Sequence, residues 1–393
     1  MPTAIRAPRP LPLLTAQQIT DLRPDLADVV EYRKSGLSLN HVVGCPLECA
    51  YCVRHLYANF AMKTPRLVMN DEDAVNALVM HRYFRPHTTP LQLFNKATDP
   101  MLPVVKPHTF ATLRLLDDLG LTNHMLVITR WRVTAEDCEQ LNQLRNLKVT
   151  VLVTHSGISH PGIEPVDSAI AADSLKTLFE HAERYRVILY WRPIVPGLND
   201  SDADIARALE LSAHAHATVF TGLFYREEIA SYYREMGLPE PYNGTARRKI
   251  MPENLEARIL DAFQRPDNEQ EPWGPLFRKT SCAVAYVHRL PDYNGHYGVP
   301  ELCDICPLSQ LGRCEKAWRA PALDVITSQA RALGAVGPVE VTDHAVLVSG
   351  LAEHPRYYLQ HGHGYQVHDR AHPHRARRHG RAEIGWTLRT EDR

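Results

Sequence analysis

Three cysteines fall within one short segment, GCPLECAYC: Cys45, Cys49 and Cys52, spaced C-x3-C-x2-C. Three thiolates on one loop can hold three irons of a cubane cluster and leave the fourth iron open to a small molecule. Purely structural clusters use four cysteines, and an open coordination position is where a metal does chemistry. The competing ligand set is zinc on Cys45, Cys49, Cys52 and His55, with His41 as a spare. Tyr51 directly before the last cysteine, and a loop that opens a βα array rather than a small compact domain, favour iron and sulfur. A second set follows: Cys282, then Cys303, Cys306 and Cys314 as C-x2-C-x7-C. Four thiolates make a closed site, for a structural zinc or a second cluster. Cys138 stands alone, most simply a packed or exposed structural thiol. Bunched cysteines in a long chain point to metal rather than disulfides.

Such chemistry needs a scaffold. The chain has 393 residues, 44% hydrophobic and 23% charged, with a net charge of −1. That balance excludes wholesale disorder and any global basic field toward nucleic acid or anionic membrane. Apolar runs such as Ala345-Val346-Leu347-Val348 are too short to span a bilayer. Prolines interrupt the N-terminal MPTAIRAPRPLPLL where a secretory signal needs a continuous apolar stretch, so a cytoplasmic protein is expected.

Residues 1–36 read as an N-terminal arm with one short helix over 15–28. Strand-like segments then alternate with helix-like ones. The strands are 37–44, 91–95, 125–130, 147–154, 187–194 and 217–224; the helices are 71–84, 108–120, 134–144, 171–185, 200–215 and 252–264. Six β-then-α units imply a parallel sheet with right-handed crossovers. An open barrel and a doubly wound sheet both fit, and either puts chemistry at the C-terminal ends of the strands. The first cysteine loop lies directly after the first strand. A boundary is expected in the polar 266–275. Beyond it come a cysteine-rich region (276–320) and a small C-terminal domain (321–393), whose stretch from His354 to Arg381 holds seven histidines and six arginines. That stretch reads as a solvated tail that picks up adventitious metal, with nucleic-acid binding as the alternative.

At the cysteine loop the chain resembles the radical S-adenosylmethionine superfamily, and more closely its spore photoproduct lyase-like branch. The carriers are KATDPMLP (96–103), ITRW (128–131), VTHSG (153–157), GIEP (162–165) and RPIVPGLND (192–200), in that order along the chain. The resemblance implies a partial (β/α)6 TIM-like barrel over 37–265, and a 4Fe-4S cluster on Cys45, Cys49 and Cys52. It implies that S-adenosylmethionine is held by Tyr51, Thr98, Arg130 and Thr154 and cleaved to a 5′-deoxyadenosyl radical that abstracts hydrogen from substrate. An electron donor such as flavodoxin or ferredoxin is implied with it. Many members carry an auxiliary cluster after the barrel, which favours a second 4Fe-4S cluster over zinc on Cys282, Cys303, Cys306 and Cys314. The physics agrees: a guanidinium grips a carboxylate bidentately, and threonine hydroxyls suit ribose and amine groups.

In the lyase a cysteine just before the strand-two hydroxyl residue returns a hydrogen atom to the product. Lys96 stands at that place here, which argues against photoproduct repair. Lys96 is expected either to contact substrate or to be a solvated lysine. Aromatic and polar residues beside the second cysteine set (Tyr286, His288, Tyr293, Asn294, His296, Tyr297) could line a pocket or simply pack a loop. Two functions result: a radical enzyme acting on a small molecule, peptide or nucleic acid, or a non-catalytic zinc protein that binds nucleic acid.

Overall fold

The computed structural model describes residues 11–245, 249–264 and 273–371. Most of the boundary expected at 266–275, and the histidine- and arginine-rich stretch past 371, lie outside them.

The strands in chain order are β1 (Val30–Arg33), β2 (Gly36–Leu39), β3 (Val42–Val43), β4 (Arg66–Leu67), β5 (Leu91–Leu93), β6 (His124–Thr129), β7 (Lys148–His155), β8 (Arg186–Ile194), β9 (Ala217–Phe224), β10 (Lys249–Ile250), β11 (Leu276–Phe277), β12 (Glu340–Val341), β13 (Ala345–Val348) and β14 (Gln366–Asp369). β2, β5, β6, β7, β8 and β9 lie side by side, all parallel and in chain order. β1 runs antiparallel against β2, so the expected N-terminal arm ends inside the sheet. At the other edge β9 pairs with β10 (antiparallel) and β11 (parallel). The sheet is open: among the described residues no ladder joins β2 to β9.

Local chemistry explains the crossovers. Thr134 and Ser201 each close a capping box at the start of the helices Ala135–Asn142 and Asp202–Ser212, satisfying N–H groups the first turn leaves bare. Asn70 caps the helix Asp71–Val79, whose first turn carries three acids, as the helix dipole favours. The strand expected over 37–44 breaks in two. After Leu39 the chain leaves the main sheet, and Val42–Val43 pairs instead with Arg66–Leu67.

Alternation along the strands separates two apolar layers. Val127, Val151, Val153, Leu189 and Trp191 pack with Leu175, Leu178 and Ile205 of the outer helices. The intervening Leu126, Leu152, Ile188 and Tyr190 pack with Ala283, Val284 and Val287 of the helix Thr280–Val287. The sheet is therefore covered on both sides, which is why its strands are almost wholly apolar. It also means that the cysteine-rich region starts against the inner face of the sheet.

The C-terminal unit is not a solvated tail over its described part. The helix Glu353–His363 crosses from β13 to β14, which are parallel. Leu359, Tyr365 and Val367 share a core with Ile326 and Ala330 of the helix Leu323–Ala332. His361 joins this unit to the sheet: Tyr32 Oη lies 2.9 Å from its Nδ1, and Asn294 Oδ1 lies 2.9 Å from its Nε2.

Candidate functional site

The loop that carries Cys45, Cys49 and Cys52 is built by β3 and β4 below it and by one arginine through it. Gly44, just after β3, has φ +94°, and a Cβ there would strike the Thr64 carbonyl, so only glycine fits. The Cys45 N–H then donates to the Met62 carbonyl at 2.9 Å. Arg54 is buried and donates to four carbonyls of this segment: Leu47 at 2.7 Å, Met62 at 3.2 Å, Asn59 at 3.3 Å and Phe60 at 3.4 Å. Its charge also opposes the burial that raises the Cys45 thiol pKa. Arg54→Ala strips those carbonyls of their donor and the Cys45 thiol of a nearby cation. The expected outcome is loss of most loop-bound iron after reconstitution, with Arg54→Lys intermediate, read by iron assay and by the visible absorbance of the protein.

Cys45 and Cys49 are buried, Cys52 is half-buried, and the three are close enough to influence one another's ionisation. Burial pushes the Cys49 thiol well up, partly opposed by Arg130. Each histidine of the zinc alternative keeps one buried ring nitrogen without a hydrogen-bond partner, His41 Nδ1 and His55 Nε2. His41 binds Asp71 at 2.9 Å. The His55 ring stacks on Phe60 with centroids 3.8 Å apart and also meets Tyr232.

Of the residues expected around the loop, Tyr51 and Arg130 meet directly: Arg130 Nη1 donates to the Tyr51 phenol. Between them lies Glu164, buried, which the sequence placed in a motif without assigning it a role. Its Oε2 accepts from Arg130 Nη1 at 2.8 Å and Ser156 Oγ at 2.9 Å, and from the Tyr51 hydroxyl. Its Oε1 lies 3.9 Å from Cys49 Sγ. The Arg130 Nη1 is thus already committed to an ion pair. Glu164→Ala would leave a buried guanidinium, a phenol and a serine without their acceptor, costing about 3 kcal/mol of stability. Glu164→Gln should cost clearly less, as checked by denaturant unfolding of the two variants.

Arg130 is delivered by Asp99 of the KATDP motif, a second residue without an assigned role. Asp99 is buried and accepts from Thr129 Oγ1 at 2.6 Å, from the Arg130 N–H at 2.8 Å and from the Met101 N–H at 2.9 Å. Next to it, Thr98 Oγ1 is shut off from solvent and has no hydrogen-bond partner. Thr154 is buried on β7; the pairing of Thr129 with Val153 sets it level with Arg130 on the neighbouring strand. Asn199, from RPIVPGLND, ties the ends of β7 and β8 together by donating to the Ser156 and Pro193 carbonyls while accepting from the Val195 N–H.

Lys96 matches neither expectation. It is 1% exposed, pairs with Glu31 at 3.0 Å and donates to the Asp25 carbonyl, so it fastens the N-terminal segment. Cys138 is a fully buried thiol in the helix Ala135–Asn142.

Cys282, Cys303, Cys306 and Cys314 also gather: Cys282 senses the charge of the other three, and Cys306 that of Cys303 and Cys314. The Cys314 sulfur accepts from the Asp292 N–H and from Gln310 Nε2, both at 3.4 Å. Two residues join them that spacing did not disclose as a pair. Asp292 Oδ2 lies 2.9 Å from His296 Nδ1, and one ligand atom each of Cys282, Asp292 and His296 falls within 4.8 Å of the others. His296 therefore belongs to this cysteine set. Of the other neighbours, Tyr293 packs in the apolar layer around Tyr190, and Asn294 anchors His361.

No protein-family model matches the chain, and no curated protein does. Among solved structures the chain is similar to a spore photoproduct lyase variant, at 13% identity and a TM-score of 0.45, covering 65% of this chain and 84% of that one. It is also similar to Streptococcus suis SuiB bound to S-adenosylmethionine, at 10% identity and a TM-score of 0.37, covering 57% of this chain and 46% of that one. No helix among the described residues is long and apolar enough to cross a membrane.

Proposed function

We propose that the chain is a radical S-adenosylmethionine enzyme built on a partial (β/α)6 barrel, with Cys45, Cys49 and Cys52 as the ligands of its 4Fe-4S cluster. The observation that carries this reading is a three-thiol loop at the C-terminal ends of parallel strands, faced by a buried Tyr51–Glu164–Arg130 network and an unpartnered Thr98 hydroxyl. Tetrahedral zinc thiolates, at about 2.3 Å from the ion, sit about 4 Å apart. Among the described residues Cys282, Asp292 and His296 form the one group of three whose ligand atoms all lie within 4.8 Å of one another, so the ion-sized grouping falls at the second cysteine set.

A cluster of this kind, when bound, supplies one electron that cleaves S-adenosylmethionine to a 5′-deoxyadenosyl radical. The chain's own residues do the rest. Arg130 offers a cation for the cofactor's carboxylate, held in place by Glu164 and Asp99. Thr98 and Thr154 offer hydroxyls to its polar groups, and Tyr51 lines the loop. Cys282, Cys303, Cys306 and Cys314 hold a second metal centre, a 4Fe-4S cluster, with Asp292 and His296 beside Cys282; a single zinc is the competing content. The donor of electrons is a small redox protein such as flavodoxin or ferredoxin, and the place of action is the cytoplasm.

The test is metal and sulfide content after anaerobic purification, followed by dithionite reduction with S-adenosylmethionine. About eight irons per chain and slow release of 5′-deoxyadenosine are expected. About four irons with one zinc would make the second centre a zinc site. Stoichiometric zinc alone, with no nucleoside released, would replace this reading by the non-catalytic zinc protein.

A further inference from the structure

Outside the network around the cysteine loop, the inner face of the sheet carries charged side chains around Tyr190. Tyr190 is buried on β8, and the Thr154–Tyr190 pairing places it beside Thr154 on the same face. Its phenol oxygen accepts from Arg192 Nη1 at 2.9 Å and from Thr280 Oγ1 at 3.2 Å. Arg192 Cζ stands 4.7 Å and Lys249 Nζ 5.9 Å from the centre of the same ring. These residues come from β8, from the edge strand β10 and from the first turn of the helix Thr280–Val287.

The charge balance of this group is unusual for the molecule. Arg130, Arg278 and Lys96 each have a carboxylate within 3.0 Å. Among the described residues neither Arg192 nor Lys249 has one within 4.0 Å. Two cations and two hydroxyls thus converge on a half-buried spot without a carboxylate. Holding cations together there is unfavourable unless an anion joins them. The phenol shows the resulting field: burial raises its pKa, yet Arg192 and Lys249 together bring it down to about 7.

We propose that Tyr190, Arg192, Lys249 and Thr280 form an oxyanion site that seats a phosphate or carboxylate of the substrate. The assignment of that anion to a substrate rests on the radical-enzyme reading above. Position supports it. Neighbouring strands are about 4.8 Å apart, so Tyr190 stands roughly two strands, about 10 Å, from Arg130 across the same face. A substrate anchored there by its charged end would present a carbon toward the cysteine loop. A guanidinium grips either oxyanion bidentately, with an ammonium and two hydroxyls completing the shell.

The test is calorimetric titration of the full-length, cluster-loaded protein with inorganic phosphate and, separately, acetate, each with and without saturating S-adenosylmethionine. One-site binding of at least one probe is expected, and the tighter probe identifies the oxyanion. R192Q and K249Q should each weaken it by about tenfold, R192K should keep most of it, and R331Q, at an exposed position, should not change it. Thermal melts show that the variants are folded. No binding of either probe by the wild type, or equal binding by folded R192Q and K249Q, overturns the proposal. Displacement of the probe by S-adenosylmethionine does the same, since the site would then belong to the cofactor. Release of 5′-deoxyadenosine by the wild type is scored separately. Release without anion binding sinks this site alone, whereas Arg192-dependent anion binding without release sinks the radical reading and, with it, the assignment to a substrate.

Discussion

Cys49→Ala is expected to reduce 5′-deoxyadenosine release to the background of cluster-free protein and to lower iron from about eight to about four per chain. Cys49 is the most constrained of the three thiols. It is 4% exposed, its sulfur lies 3.9 Å from Glu164, and it senses both Arg130 and the other two loop cysteines. Removing it leaves Cys45 and Cys52, two ligands where the group needs three. The matching variant at the second centre, Cys282→Ala, should remove the other metal and leave the loop-bound iron in place. The pair of variants therefore assigns each half of the iron to its own set of cysteines. If Cys49→Ala keeps full iron and still releases the nucleoside, the loop is not the cofactor site.

Much of this arrangement was legible because short-range chemistry wrote it. The limits of β9 match the expected strand at 217–224, since seven consecutive buried residues between polar flanks leave little choice. Thr134 marked its helix start through capping chemistry that needs only neighbouring residues, whereas the helix expected from 200 begins one residue later, with Ser201 as its cap. What escaped notice depends on contacts far apart in sequence. Glu164 gains its meaning from Arg130 and Tyr51, 34 and 113 residues away. Lys96 looked like a solvated or substrate-facing residue because nothing near it in sequence reveals Glu31. The helix Thr280–Val287 lay in a segment read for its cysteine and for Tyr286 as a pocket or loop residue, although TSCAVAYV is apolar enough to cover the inner face. The described part of the histidine-rich stretch, up to 371, was misread for the opposite reason. Its composition is polar, but Leu359, Tyr365 and Val367 recur at the spacing of a packed helix and strand, and His361 and His368 are buried with them.

Those buried histidines make the fold sensitive to acid. Burial holds His361 at about 4, His155 at about 4, His124 at about 3 and His368 at about 3, with nearby cations adding to the effect at the last three. Each is neutral in the folded protein, whereas the unfolded chain titrates near 6.5. Unfolding therefore takes up protons once the pH falls below about 6.5, and stability declines until each folded value is reached. The slope is about 1.4 kcal/mol per pH unit for each group, or of order 3 kcal/mol per histidine by pH 4. Stability should be insensitive to these groups above pH 7 and should fall steeply between pH 6 and pH 4 in denaturant or thermal melts. His361 is the informative member. Its Nε2 faces the acceptors Asn294 Oδ1 and the Lys34 carbonyl, so that nitrogen carries the proton and Nδ1 accepts from the Tyr32 hydroxyl. A second proton on Nδ1 makes that nitrogen a donor, so the Tyr32 hydroxyl must turn from donor to acceptor, and the new cation sits buried at the joint between the C-terminal unit and the sheet. His361→Gln should thus destabilise the protein at pH 7 yet flatten its acid limb by about one proton's worth. An unchanged acid limb would show that this joint is not where the proton enters.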